Sequence, residues 1–192
     1  MALALLMSVT RAGTYEECLS FDTTELIGDK VGEFVQNYDE ILEFSTGYMR
    51  AFAFSACFND ERRLIAMNFT IKEQASDKSE LLSPLGPIEK GDCSRKRIGD
   101  FENLIDRIDV WYAEGKGIYS VRFWVGELGE TFGEYPAEME DEILKKTLTY
   151  TDDDYLAGVM GYESLNKINA VGFISLNTTC VVRIDEAISL NE

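Results

Sequence analysis

Histidine is absent from the 192 residues. That absence removes the Ser-His-Asp and Cys-His nucleophilic machineries, together with every histidine-bearing zinc site. Basic residues are scarce as well: 18 Lys and Arg stand against 35 Asp and Glu, for a formal net charge of -17. With no basic surface to release counterions from a phosphate backbone, nucleic acid and anionic membranes are poor partners. The acidity reads first as a soluble, self-repelling surface and second as a face for calcium or a basic partner. Beyond the N-terminal segment nothing approaches a membrane span in length. None of the 4 cysteines stands in a Cys-x-x-Cys pair, so neither a thiolate metal site nor thioredoxin chemistry is indicated, and no cofactor is expected. Linkers and low-complexity tracts are missing too, and 45% hydrophobic content over this length suits one well-buried core rather than two.

What is present is a strand pattern. From Leu104 to Val125, Ile108, Val110 and Tyr112 alternate with Arg107, Asp109 and Trp111. After Ala113-Glu114-Gly115-Lys116-Gly117, Tyr119, Val121, Phe123 and Val125 alternate with Ile118, Ser120, Arg122 and Trp124. Period-two alternation of β-branched and aromatic residues marks a strand with one face on a core, and glycines bracketing one residue suit a tight hairpin turn. The pattern recurs in Arg50–Phe58 with Leu64–Ile71, and in Lys167–Leu176 followed by Val181–Ile184. Each unit opens on a basic residue, Arg50, Arg107 or Lys167. A weak triplication with a period of roughly sixty residues predicts a pseudo-threefold all-β fold.

Between these units the signals are weaker. Tyr15, Cys18, Leu19 and Phe21 suggest a first strand, Gly28 and Gly32 mark turns, and Phe34-Val35 and Ile41–Phe44 suggest short strands. Lys72–Arg97, with Pro84, Pro87, Gly86 and Gly91, reads as a long loop with a short strand at Leu81-Leu82, tethered by Cys93. Gly126–Pro136 is glycine-rich, but it lacks the lysine of a P-loop and the helix context of a dinucleotide fingerprint, so it reads as turns. Met139–Lys146 passes for a short helix, although Ile143-Leu144 and Thr147–Tyr150 are strand-like. Tyr155–Gly161 reads as a strand.

The apolar run Ala2–Val9 followed by Thr10-Arg11-Ala12 suits a secretory signal over residues 1–12 cleaved before Gly13, leaving 13–192 as a single domain; the alternative is an N-terminal strand or short buried helix. Cys18, Cys57, Cys93 and Cys180 fit two structural disulfides with three pairings open. Asn68-Phe69-Thr70 and Asn177-Thr178-Thr179 are N-glycosylation acceptors. A signal-like start, an even cysteine count and two sequons agree on a secreted, extracellular protein.

Tyr155-Leu156-Ala157-Gly158-Val159-Met160-Gly161-Tyr162 leading into Ile168–Phe173, and Glu102-Asn103-Leu104-Ile105-Asp106-Arg107-Ile108-Asp109-Val110, resemble the strand signatures of the jacalin-related lectins. The resemblance runs from about Phe34 onward. It implies a β-prism of three Greek-key four-stranded sheets and carbohydrate binding, without catalysis, by loops at one end. The family's site is a Gly-x-x-x-Asp loop together with a glycine-rich N-terminal loop. Asp106 matches the aspartate, with Glu102 where the glycine belongs, Asn103 between them and Gly99 three residues before Glu102. In the third unit Asn166 takes the aspartate's place and Tyr162 the glycine's, whereas Met49 holds it in the first. The N-terminal Gly-Gly pattern is missing. Glycans or glycoproteins are the implied partners.

Each candidate has a plainer reading. Asp106 can accept from sugar hydroxyls beside Tyr112 or Trp111 as an apolar platform, or pair with Arg107 or Arg50 at a strand start. Asp152-Asp153-Asp154 offers oxygen donors for calcium but lacks EF-hand spacing, as a solvated turn does. No spacing singles out a carboxylate pair for glycoside hydrolysis. Trp111 and Trp124 fall on the outer face of the central hairpin, where an exposed aromatic favours a ligand or assembly interface; the equal alternative is that they are core residues in another register. The rival function is an extracellular structural protein, a matrix, coat or filament subunit built as a homo-oligomer or larger assembly on a prism that has lost sugar binding.

Overall fold

The computed structural model describes residues 20–44, 49–73, 78–87, 92–99, 104–133, 143–151, 154–164 and 167–177. In chain order these hold β1 (Ser20–Thr23), β2 (Ile27–Gly28), β3 (Glu33–Gln36), α1 (Tyr38–Phe44), β4 (Met49–Phe58), β5 (Leu64–Glu73), β6 (Ser79–Leu81) and β7 (Asp92–Arg97). There follow β8 (Arg107–Ala113), β9 (Gly117–Val125), β10 (Leu128–Gly133), β11 (Leu144–Thr149), β12 (Asp154–Ser164) and β13 (Lys167–Asn177).

Three antiparallel hairpins, β4–β5, β8–β9 and β12–β13, each form the middle of one sheet. The second and third sheets run β6-β5-β4-β7 and β10-β9-β8-β11, so in each the fourth strand returns beside the first as a Greek key. The first sheet runs β1-β13-β12-β3, with β2 also on β13. Its outer strands therefore come from the start of the chain, which closes the prism. One phenylalanine from each sheet meets the others at the axis: Phe69 and Phe123 have ring centroids 5.9 Å apart, Phe69 and Phe173 6.4 Å, and Phe123 and Phe173 6.2 Å. Phe54 and Phe132 extend this cluster, and all five side chains are fully buried. The pseudo-threefold all-β fold expected from the repeats is thus observed, in the form of the β-prism that the resemblance implies.

Several local expectations are corrected. Ile41–Phe44 belongs to helix α1, not to a strand: Ile41 and Phe44 stand three residues apart and are both buried, the spacing of one helix face, while Asp39 and Glu40 favour the helix start. Lys72–Arg97 is not a loop throughout, because β6 and β7 are the edges of the second sheet. Likewise β10 occupies what read as turns, whereas β11 agrees with the strand-like reading of Ile143-Leu144 and Thr147–Tyr150 over the helical alternative. β7 and β10 were hidden because they are edges: β7 is Asp-Cys-Ser-Arg-Lys-Arg with every residue exposed. Charge on an edge strand blocks pairing with other chains but leaves no apolar alternation to read. The third unit is β12–β13. β13 is flanked by β12 and by β1 with β2; Val181–Ile184, read as the second strand of this unit, lie outside the described residues.

Cys57 and Cys93 stand opposite each other on β4 and β7 and are disulfide-bonded, with Cα atoms 4.0 Å apart. Cys18 and Cys180 lie outside the described residues, as do Tyr15 and Leu19 of the suggested first strand and the signal segment. Asn68 is 2% exposed within β5, so this sequon has no room for a glycan in the folded protein.

Candidate functional site

The two ends of the prism carry different chemistry. At one end Asp106 precedes β8 and is exposed. Its Oδ2 accepts from the Gly126 N–H at 2.7 Å, its own N–H donates to the Trp124 carbonyl at 3.0 Å, and its carbonyl accepts from Tyr150 N–H at 2.8 Å. The carboxylate thus fastens the β9–β10 turn. Gly99, whose carbonyl accepts from Arg97 Nε at 3.3 Å, is at this end too and shares a small cleft with Arg50, Ile105 and Asp154. Asp154 accepts from the Thr151 hydroxyl at 2.8 Å, closing its own turn; Asp152 and Asp153 lie outside the described residues. Among the described residues no group of three His, Cys, Asp or Glu side chains could hold a metal ion. Tyr150 is half-buried here with its hydroxyl enclosed, and that desolvation, reinforced by the Asp154 charge, pushes the hydroxyl above the ordinary range.

The opposite end is reached by the hairpin turns, roughly 23 Å away along the seven-residue β8. There the segment Asp29–Gly32 crosses from β2, on one side of the β12–β13 hairpin, to β3 on the other. Asp29 Oδ2 accepts from the Gly115 N–H at 2.6 Å, and Lys167 Nζ donates to the Gly115 carbonyl at 2.8 Å. The buried Asn169 donates its Nδ2 to the Val31 carbonyl at 2.6 Å, and its own carbonyl accepts from Asp29 N–H at 2.9 Å. Three separate stretches, 29–32, 114–116 and the β12–β13 end, are therefore tied together. The segment needs its glycines. Gly28 and Gly32 have φ of 105° and 113°, and a Cβ on Gly32 would stand 2.0 Å from the Glu163 carbonyl oxygen. Val31 is 68% exposed and Phe34 43%, so apolar surface sits beside this polar cluster.

The sequence candidates are thereby divided. Asp106 and Gly99 occupy one end; Tyr162, on β12 opposite Phe34 with rings 5.2 Å apart, belongs to the other. Glu102, Asn103 and Asn166 lie outside the described residues. Asp29, Gly115, Lys167 and Asn169 were not singled out as site residues from the sequence, where Gly115 read only as a turn glycine and Lys167 as the start of a strand unit. Gly28 and Gly32 were the available signal, but nothing local shows that the residues between them reach a hairpin end 138 positions away.

The outer face of the third sheet holds both tryptophans. Trp111 is 5% exposed, which decides for it against the exposed alternative. Trp124 Nε1 donates to Asp109 Oδ2 at 2.8 Å; Asp109 also accepts from the Thr147 hydroxyl at 2.6 Å and pairs with Lys145 at 3.0 Å. Burial raises the Asp109 carboxyl, but the bonds from Thr147, Lys145 and Trp124 outweigh it, and the net position is below the ordinary carboxylate range. The guanidinium carbons of Arg107 and Arg122 lie 4.1 and 3.8 Å from the Trp124 ring centroid.

Solved structures share this architecture. Frutapin, a lectin from Artocarpus incisa, superposes with a TM-score of 0.60 at 12% identity, over 82% of this chain and 97% of that one. Single-chain recombinant jacalin gives 0.60 at 11% identity, over 82% and 95%. A mannose-binding lectin from champedak gives 0.57 at 13% identity, over 81% and 96%. The β-prism is therefore the fold of jacalin-related lectins. No protein-family profile and no curated protein matches the sequence.

Proposed function

We propose that the chain is a divergent jacalin-related lectin, a non-catalytic carbohydrate-binding protein whose sugar site is the end where 29–32, 114–116 and the β12–β13 hairpin meet. The observation that carries this is the tie between Asp29, Gly115 and Lys167, which holds three loops beside exposed Val31. Neutral sugars are held by fixed polar groups next to an apolar patch, and this end supplies both. Of the two sequence pairings, the Tyr162 and Asn166 one is supported, since the flanking Glu163 and Lys167 stand in this cluster. The absent Gly-Gly pattern is replaced by Gly28 and Gly32 around the crossing segment. The Asp106 end is the weaker candidate, its carboxylate being engaged by Gly126.

Secretion accords with this function. The Cys57–Cys93 bond and the sequon at Asn177 support an oxidising, extracellular setting. Because a structural neighbour is a mannose-binding lectin, mannose and galactose are titrated by calorimetry against the secreted protein and its Asp29→Ala and Asp106→Ala variants. Saturable binding lost in Asp29→Ala and kept in Asp106→Ala supports the proposal. The reverse pattern moves the site to the Asp106 end, and no binding by the folded protein favours the assembly role.

A further inference from the structure

The outer face of the third sheet carries a feature that sugar binding at the prism end does not use. We propose that Arg107 and Arg122, stacked on Trp124, form a receptor for one tetrahedral oxyanion, the sulfate ester or phosphate monoester of a small or sparsely charged ligand.

In a chain where acidic side chains outnumber basic ones 35 to 18, a guanidinium readily finds a carboxylate. These two have an indole instead. Arg122 stands directly opposite Asp109 in the β8–β9 register, yet the Asp109 carboxylate is committed to Trp124, Thr147 and Lys145. The Nε atoms of Arg107 and Arg122 are buried, and among the described residues neither has a hydrogen-bond partner. Stacking occupies a guanidinium's flat face and leaves its in-plane N–H donors directed past the ring, the fork geometry that matches oxyanions. Both groups lie within about 4 Å of one ring centroid, and the hydrogen bond from Nε1 to Asp109 fixes that ring.

The sheet is shaped for this placement. Gly129 stands opposite Trp124 on β10, and a Cβ there would meet Nε, Nη2 and Cζ of Arg122 at 2.3, 2.8 and 2.9 Å. The missing side chain is the space the guanidinium fills. The formal charge of -17 rejects long polyanions by bulk repulsion, so the ligand carries isolated rather than serial charges.

The test follows the Trp124 indole ¹H–¹⁵N resonance at constant ionic strength, with glucose 6-sulfate, glucose 6-phosphate, inorganic sulfate and glucose as probes. Saturable shifts are expected with at least one ester and none with glucose, and a preference between the esters identifies the source of the oxyanion. Arg107→Gln and Arg122→Gln should each weaken binding by about tenfold, the loss of one charge-assisted contact. Gly129→Ala keeps every charge but displaces Arg122, and should weaken binding severalfold while circular dichroism stays unchanged. No saturable shift with any oxyanion, or unaltered affinity in Arg122→Gln and Gly129→Ala with the fold intact, overturns the proposal. Calorimetric titration of mannose against these variants should match the wild type, so the two sites fail independently.

Discussion

Asp109→Asn is the sharpest test of the physical account of the third sheet. The carboxylate is 1% exposed and accepts from three donors. Hydrogen bonds to a charged group contribute about 1.5–3 kcal/mol each, but these three do not count equally. Lys145 is 47% exposed, so its attraction is screened to about 1 kcal/mol or less. Thr147 is exposed and can turn to water. The Trp124 N–H bond dominates, and an amide oxygen recovers part of it, leaving an expected loss of about 2–3 kcal/mol at neutral pH. The pH dependence is a separate handle. Because the folded carboxyl lies below its unfolded value, its contribution is fully present above the unfolded value of about 4 and is lost as pH falls through the folded one. Once protonated, aspartic acid resembles asparagine, so the gap between wild type and variant should close in strong acid. Urea unfolding followed by circular dichroism at pH 7 and pH 2.5 reads both effects. A gap that stays constant over that range, or Lys145→Ala costing as much as Asp109→Asn, refutes the reasoning.

Other outcomes follow from the core and the bridge. Phe54→Ala empties the junction of the second and third sheets, where Phe54 touches Phe69, Phe123 and Phe132; it should lose about 3–5 kcal/mol in denaturant titration, and a loss near 1 kcal/mol would mean that this cluster is not central. Cys57→Ser opens a loop of sequence separation 36 and should cost about 3–4 kcal/mol by the chain-entropy estimate, with non-reducing peptide mapping of the wild type recovering Cys57 linked to Cys93.

The central hairpins were legible because their inner faces obey a period of two. Ile108, Val110, Val121 and Phe123 alternate with Arg107, Asp109, Ser120 and Arg122, and a strand with one face on the core demands that pattern. The repetition of such hairpins suffices for the threefold all-β architecture. Edge strands are a different matter. β7 is solvated along its length and carries charge that keeps its edge unpaired, so its sequence looks like a loop. Helix α1 was missed for want of length: seven residues present only two buried positions, too few to establish a helical period.

The candidate site was less legible than the fold, for a topological reason. Asp106 matched a motif locally, but its carboxylate spans to Gly126 as a turn fastener. Asp29 carried no motif, yet the closing of the first sheet by strands from both ends of the chain brings it onto Gly115, 86 positions away. The sequence by itself determined the strand periodicity, the acidic surface and the exclusion of histidine chemistry, since each is a property of composition or of neighbours along the chain. Which loops share an end, which cysteine faces which, and which arginines stack on Trp124 were decided by strand pairing, because contacts between residues far apart in sequence leave no local pattern to read.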